Sequence, residues 1–214
     1  IGAMIVALIL MVVFIWLGSR LEKVPRGKQI VAEFIVEKVY DITKSTMGEG
    51  FEWFAPYVGT LFAFIGTGSM LGLIGLRPIT ADVNVTFGLS ILTFLTIQIC
   101  TIKAHGFKGK LKELCDPYPF MLPLKLIEEV TLPISLGFRL FGNILGGLII
   151  VDLFLNFMTF LSEKLCDVPF LRMFTVLPLN AFFDIFEPII QTFIFSTLTM
   201  IFLARALMPA GLKK

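Results

Sequence analysis

Two uninterrupted apolar stretches, residues 123–161 and 169–208, each run to nearly forty residues. At 1.5 Å per residue, either one as a helix is about 55–60 Å long, twice the roughly 30 Å of a bilayer's hydrocarbon core. Neither fits upright in a membrane as one straight helix, and a water-soluble globule has no interior to hide both. The expectation is that they kink or lie strongly tilted, packed together as a long hairpin, with Pro133, Pro178 and Pro188 as sites for bends. Lipid is the solvent these stretches demand. The rest of the chain agrees: of 214 residues 57% are hydrophobic and 16% charged, against about 25% charged in soluble domains. The runs are continuous and do not alternate, so helices and not a barrel are the spanning elements.

Three further apolar segments precede the hairpin. Residues 1–17 read as a first, truncated membrane helix, since the chain opens at Ile1 inside an apolar run with no cleavage pattern after it. Residues 51–76 and 85–103 are two more spans. Between the first and second, 25–47 mixes Ile30, Phe34 and Val39 with Glu33, Glu37, Lys38 and Asp41, the pattern of an amphipathic helix at the membrane surface. The fold expected is an all-α integral membrane protein forming a single membrane domain, with about five membrane helices and one surface helix.

Basic residues orient it. Arg20, Lys23, Arg26 and Lys28 form one cluster, and Lys103, His105, Lys108, Lys110 and Lys112 another. Placing both inside leaves Arg77–Asp82 and Ser162–Asp167 outside and puts Arg205, Lys213 and Lys214 inside. The N-terminus is then outside and the C-terminus cytoplasmic. Cys100, Cys115 and Cys166 fall in a span, an inner loop and an outer loop, which argues against a disulfide framework or a metal site. One histidine, His105, argues against haem ligation by paired histidines.

Arg139 stands in the interior of the first long stretch, far from either end. An arginine at bilayer depth costs about 2.5–3.5 kcal/mol on insertion scales, and its charge cannot be removed near neutral pH. Such a residue points to a buried or mobile anion as its partner; the simpler alternative is a permanent ion pair within the chain. Ser135, Gly142 and Gly146 lie near it on one helical face, with Gly137 and Gly147 close by, and small residues there admit another helix. In the second long stretch Asn180, Asp184, Glu187 and Gln191 follow at intervals of four, three and four, one stripe of an otherwise Phe, Ile and Leu helix. Polar glue between helices needs no ionisable groups, so the stripe reads as a wet path or relay. Asp152 and Asn156 make a smaller pair four residues apart. On the expected topology Asp152, Asn180, Asp184 and Glu187 all lie outward of Arg139, so three acids line one aqueous path from outside. Glu128 and Glu129 lie inward and are candidates for a second opening.

The run Pro133-Ile-Ser-Leu-Gly-Phe-Arg139-Leu-Phe-Gly-Asn143, with Gly146-Gly147 after it, closely resembles the family of F-type ATP synthase subunit a. So does Gln191-Thr-Phe-Ile-Phe-Ser-Thr-Leu-Thr-Met200; Phe51–Leu76 and Asp82-Val-Asn-Val-Thr86 are similar to earlier family segments. The resemblance implies a proton- or sodium-translocating stator subunit of the F1F0 complex, beside a rotating ring of c subunits and held by peripheral stalk b subunits. It implies a multi-pass protein of an energy-transducing membrane, typically the bacterial plasma membrane. No cofactor, metal or nucleic acid is expected, only the transported ion, and no covalent catalysis by this chain. Arg139 matches the arginine that faces the ring carboxylates and separates two half-channels, and Asn143 and Gln191 match its polar companions. Asp184 matches a position that is often histidine or an acid. Some members carry a glutamate nine residues after the arginine; here that position is Leu148, and Asp152, one turn further, is the expected replacement. Glu187 is an additional acid, and Ser69 stands where an asparagine is expected. A stand-alone secondary transporter or channel is the rival reading, but no internal repeat of the kind transporters show is evident.

Overall fold

The computed structural model describes residues 2–19, 27–115, 120, 122–165 and 170–207. Arg20, Lys23, Arg26, Cys166, Asp167, Lys213 and Lys214, used above for orientation and compartment, lie outside the described residues, as does the start of the 25–47 segment.

The chain is an all-α membrane protein. Helix α1 spans Gly2–Gly18 and α2 spans Lys28–Met47, ending at Gly48, whose φ of 91° is open to glycine alone without strain. Beyond it Lys44 bridges Glu49 at 3.3 Å and Glu52 at 3.7 Å, and these carboxylates, Glu49 first, hold its ammonium above the usual range. Helix α3, Ala55–Ser69, enters through a 3₁₀ turn at Glu52–Phe54 with Pro56 in its first turn, where a missing N–H is harmless. It leaves through a second 3₁₀ turn, Met70–Ile74. Asp82 Oδ1 accepts the backbone N–H of Asn84 at 2.9 Å and so starts α4, Val83–Cys115. Gly106, at φ 69° and ψ 166°, breaks α4 in two. The span expected at 85–103 therefore ends near this break, and helix resumes beyond it in a new direction.

Both long stretches are continuous helices. Helix α5 runs Leu122–Leu165, 44 residues with Pro133 inside it, about 66 Å long. The second comprises α6, Phe170–Ala181, a π-helical turn, Phe182–Phe186, and α7, Glu187–Leu207. Among the described residues, four helical stretches are long and apolar enough to cross a membrane: Glu52–Leu73, Val83–Gly106, Leu122–Lys164 and Phe170–Leu207. Helix α1 is a shorter apolar one.

The core lies where α3, α4, α5 and α7 meet. Leu61, Ile65, Leu136, Leu140 and Phe195 form one buried cluster. Met47, Phe54, Val58, Ile97, Met200, Leu203 and Ala204 form another toward the C-terminal end of α7. Small residues close the helix contacts: a Cβ on Gly137 would stand 3.0 Å from Ser90 Oγ and 3.3 Å from the Phe87 ring. Thr86, Ser90, Thr93 and Thr101 are buried along one face of α4. Ser90 and Thr101 return their hydroxyl protons to carbonyls of the preceding turn, and Thr93 Oγ1 shares a proton with Tyr57 Oη at 3.3 Å. No polar group on this face has to face lipid.

Candidate functional site

Helix α5 turns Leu136, Gly137, Leu140, Ile144 and Gly147 into the bundle. Arg139 is off this stripe. It lies on the outer face of α5 with Ser135, Phe138 and Gly142, all exposed. A Cβ on Gly142 or on Gly146 would meet nothing within 4 Å, so a smooth groove of small residues runs beside the guanidinium. Among the described residues no acid pairs with Arg139. The four ion pairs join Lys38 to Asp41, Lys44 to Glu49 and Glu52, and Lys110 to Glu129. The permanent internal pair weighed above is absent from the described residues, and the cation faces outward.

One turn on, Asn143 Nδ2 donates to Gln191 Oε1 at 2.9 Å, tying α5 to α7. Gln191 is 2% exposed, and its Nε2 has no hydrogen-bond partner among the described residues. The bond is therefore the anchor of a buried amide. Losing it should leave the Gln191 carbonyl unpaired as well, at about 1–3 kcal/mol. We expect Asn143→Leu to lower the thermal stability of the purified protein in detergent and Asn143→Asp to do so less; equal melting temperatures for Asn143→Leu and the parent would contradict this.

On the far side of that pair lies a cavity of about 210 Å³ between the start of α7, the π-turn, α5 and the end of α3. It is polar and large enough to hold several waters. Asn180, Asp184 and Glu187 all line it, with Ser69, which shares a proton with Thr80 at 3.1 Å. Two glycines seat the carboxylates. A Cβ on Gly72 would stand 3.0 Å from Asp184 Oδ1, and one on Gly147 would stand 3.1 Å from Glu187 Oε2 and 2.7 Å from the Phe183 ring. Gly72, Gly147, Ser69 and Phe183 were not among the site residues expected from sequence. Their signal, a glycine opposite a carboxylate, exists only once the helices are paired.

The expected residues thus separate into groups. Asn143 and Gln191 touch, and Asn180, Asp184 and Glu187 share the cavity. Asp152 does not line it: among the described residues its exposed carboxylate accepts only from Asn156 Nδ2, at 3.4 Å on its own helix. Of the three acids expected from sequence to line one path, two, Asp184 and Glu187, line this cavity; Asp152 sits on the outward side of α5 while Leu148 and Val151 face the cavity. Toward the other end of α5, Glu129 pairs with Lys110 at 3.6 Å, and Glu128 is exposed. Nearby, His105 Nε2 lies 3.1 Å from the Ala206 carbonyl oxygen, joining α4 to the end of α7 just before the Gly106 break.

A family model described as ATP synthase A chain matches residues 1–204. The chain is 32% identical over 214 residues to "ATP synthase subunit a, sodium ion specific" of Propionigenium modestum, an alignment covering 92% of this chain and 70% of that protein. It is 34% identical to "ATP synthase subunit a 2" of Prosthecochloris aestuarii, covering 97% and 67% of the two chains. With "ATP synthase subunit a" of Moorella thermoacetica it shares 32% identity over 93% of this chain and 86% of that one.

Proposed function

Because the chain belongs to the ATP synthase A chain family, we propose that it is the ion-translocating stator subunit of a rotary F-type ATP synthase, with Arg139 facing the carboxylates of a ring of c subunits. The observation that carries this reading is the outward Arg139, unpaired among the described residues, on a groove of small residues and backed by the bond from exposed Asn143 to buried Gln191. A cation so placed is suited to an anion carried past it on another protein. The cavity of Asn180, Asp184 and Glu187 supports a half-channel open to the outside. In the region of Leu148, where some family members carry a glutamate, Glu187 is the carboxylate at hand, seated on the neighbouring Gly147. Glu128, which has no ion pair among the described residues, is the candidate for the second half-channel.

The mechanism is electrostatic. A nearby permanent cation favours the ionised form of a ring carboxylate, so the carboxylate arrives at Arg139 charged. It takes up a proton or sodium ion from the outer path, turns through lipid in neutral form, and releases the ion to the inner path. Each charge crossing gains about 2.3 kcal/mol per 100 mV of membrane potential, which drives rotation. Arg139 prevents the two paths from joining. The chain holds and passes ions; ATP is made elsewhere in the complex. The name of the Propionigenium modestum relative supports keeping sodium beside the proton as the ion carried. Continuous helices of about 57–66 Å support a steep tilt of α5 and of α6–α7, curved along the ring.

Cross-linking tests the placement. Gly142→Cys has open space at its Cβ, and in native membranes it should form a disulfide with a cysteine introduced beside the ring carboxylate. The complex purified in mild detergent should contain many copies of a small two-helix protein and a soluble ATPase head. Purification of the chain alone, with no cross-link from position 142, would defeat the reading.

A further inference from the structure

In an unbroken α-helix the intervals of four, three and four put Asn180, Asp184, Glu187 and Gln191 within one narrow wedge, since each residue advances by about 100°. All four would then face α5 together. The structure does not do this. Gln191 meets Asn143 of α5, and one turn earlier Glu187 meets Gly147, the residue four after Asn143. The next residue in that line is Phe183, whose ring also lies on Gly147. Asp184 has left the line and lies against Gly72, in the 3₁₀ turn that extends α3. Between the two carboxylates is the π-turn Phe182–Phe186.

A π-turn bonds i to i+5 and so holds one residue more than an α-turn. Everything before it is thereby rotated by roughly 100° relative to everything after it. Pro188, the second residue of α7, has no N–H to give to the preceding turn, which makes this the place where an extra residue is most easily accommodated. Phe183, aromatic and seated in the gap left by Gly147, fixes the turn's rotation against α5.

We infer that the π-turn Phe182–Phe186, docked through Phe183 on Gly147, is a register device that assigns the two carboxylates to different walls of the cavity, Asp184 to α3 and Glu187 to α5. Resting on the functional reading above, this gives the outer path an order. An ion passes from Asp184, on the wall of the 3₁₀ turn, across the cavity to Glu187. Glu187 is one turn from the Asn143–Gln191 pair and on the same side of the helix. An α-helical register would instead stack both acids on α5, with the α3 wall left without a carboxylate.

The test deletes one residue of the turn. Ile185 is exposed, at 41%, and does not line the cavity. Ile185→Ala should leave coupled ATP synthesis within about twofold of the parent, whereas deletion of Ile185 should lower it more than tenfold in vesicles containing the whole complex. Cysteine pairs report geometry independently of transport. Asn143→Cys with Gln191→Cys, both on the inner side of the turn, should still cross-link in the deletion chain and shows that α5 and α7 remain paired. Gly72→Cys with Asp184→Cys should cross-link in the full-length chain and lose at least tenfold in yield in the deletion chain. Retention of both cross-links in the deletion chain would overturn the inference. If that chain does not accumulate, the full-length chain decides: Gly147→Cys should join Phe183→Cys and not Asp184→Cys, and the reverse preference would overturn it. Normal synthesis by an Asp184→Asn, Glu187→Gln chain would refute the ion path and leave the register result standing.

Discussion

Arg139→Ala is expected to abolish ion-coupled ATP synthesis while the complex still assembles and its soluble head still hydrolyses ATP. A unit charge pair 4 Å apart is worth about 4 kcal/mol at an effective dielectric near 20. Losing that attraction removes the reason for a ring carboxylate to arrive ionised, and at 1.4 kcal/mol per tenfold the populations shift by roughly a thousandfold. Synthesis in inverted vesicles should fall more than a hundredfold. Passive ion leak should rise, because nothing then separates the outer cavity from the inner opening. Arg139→Lys should also be severely impaired. A compact ammonium lacks the planar fork that holds a passing carboxylate, and it loses its proton in a low-dielectric site where guanidinium does not. The outward face makes these variants informative. Arg139 has no acidic partner among the described residues, so removing it leaves no orphaned carboxylate there to unfold the bundle. Retained coupled synthesis in Arg139→Ala would end the stator reading.

The sequence showed which residues were costly to keep in lipid, and much less about which of them meet. Arg139 and the Asn180–Gln191 stripe stand out because a charge or amide in an apolar run has no cheap explanation. Spacing on one helix then says which side chains share a face, but it assumes a uniform turn. The π-turn breaks that assumption between the two acids, so Asp184 lies against Gly72 while Glu187 stays in line with Gln191 along α5. Asp152 illustrates the same limit on α5. Its place one turn after Leu148 suggests a shared face, but the cavity lies on the Leu148–Val151 side and Asp152 points away. Gly147 stood out only as a small residue that admits another helix, and neither it nor Gly72 could be matched to a carboxylate, because that role is set by a helix distant in sequence. The bend at Gly106 was likewise hidden within a basic stretch that reads as a loop, although its φ of 69° is one that glycine adopts without strain. Lys110, beyond that bend, reaches Glu129 at 3.6 Å.

The second large effect is expected where the cavity meets α5. Asp184→Asn should slow proton-driven synthesis several-fold, and Glu187→Gln by a similar factor. The double change, Asp184→Asn with Glu187→Gln, should stop it almost completely. Either carboxylate alone leaves the cavity with one group able to hold an ion, and about 210 Å³ of space leaves water to bridge the gap. Without both, the cavity retains only amides and hydroxyls from Asn180 and Ser69, which hydrogen-bond water but do not bind and release a proton near neutral pH. Amide replacements nearly keep the size of each side chain, so Gly72 and Gly147 should accept them and the bundle should keep its stability. Asp152→Asn serves as the control: its carboxylate lies outside the cavity, bonded to Asn156, and synthesis should change by less than about twofold, as for an exposed polar swap. Thiol labelling separates a path from mere helix glue. Asp184→Cys and Glu187→Cys should react with membrane-impermeant reagents added from the outer side and poorly with those added from the inner side, and the Asn143–Gln191 pair should mark where labelling stops. If both positions prove sealed from water and the double variant makes ATP normally, the carboxylates are structural, and the outer path must run along another face of α5.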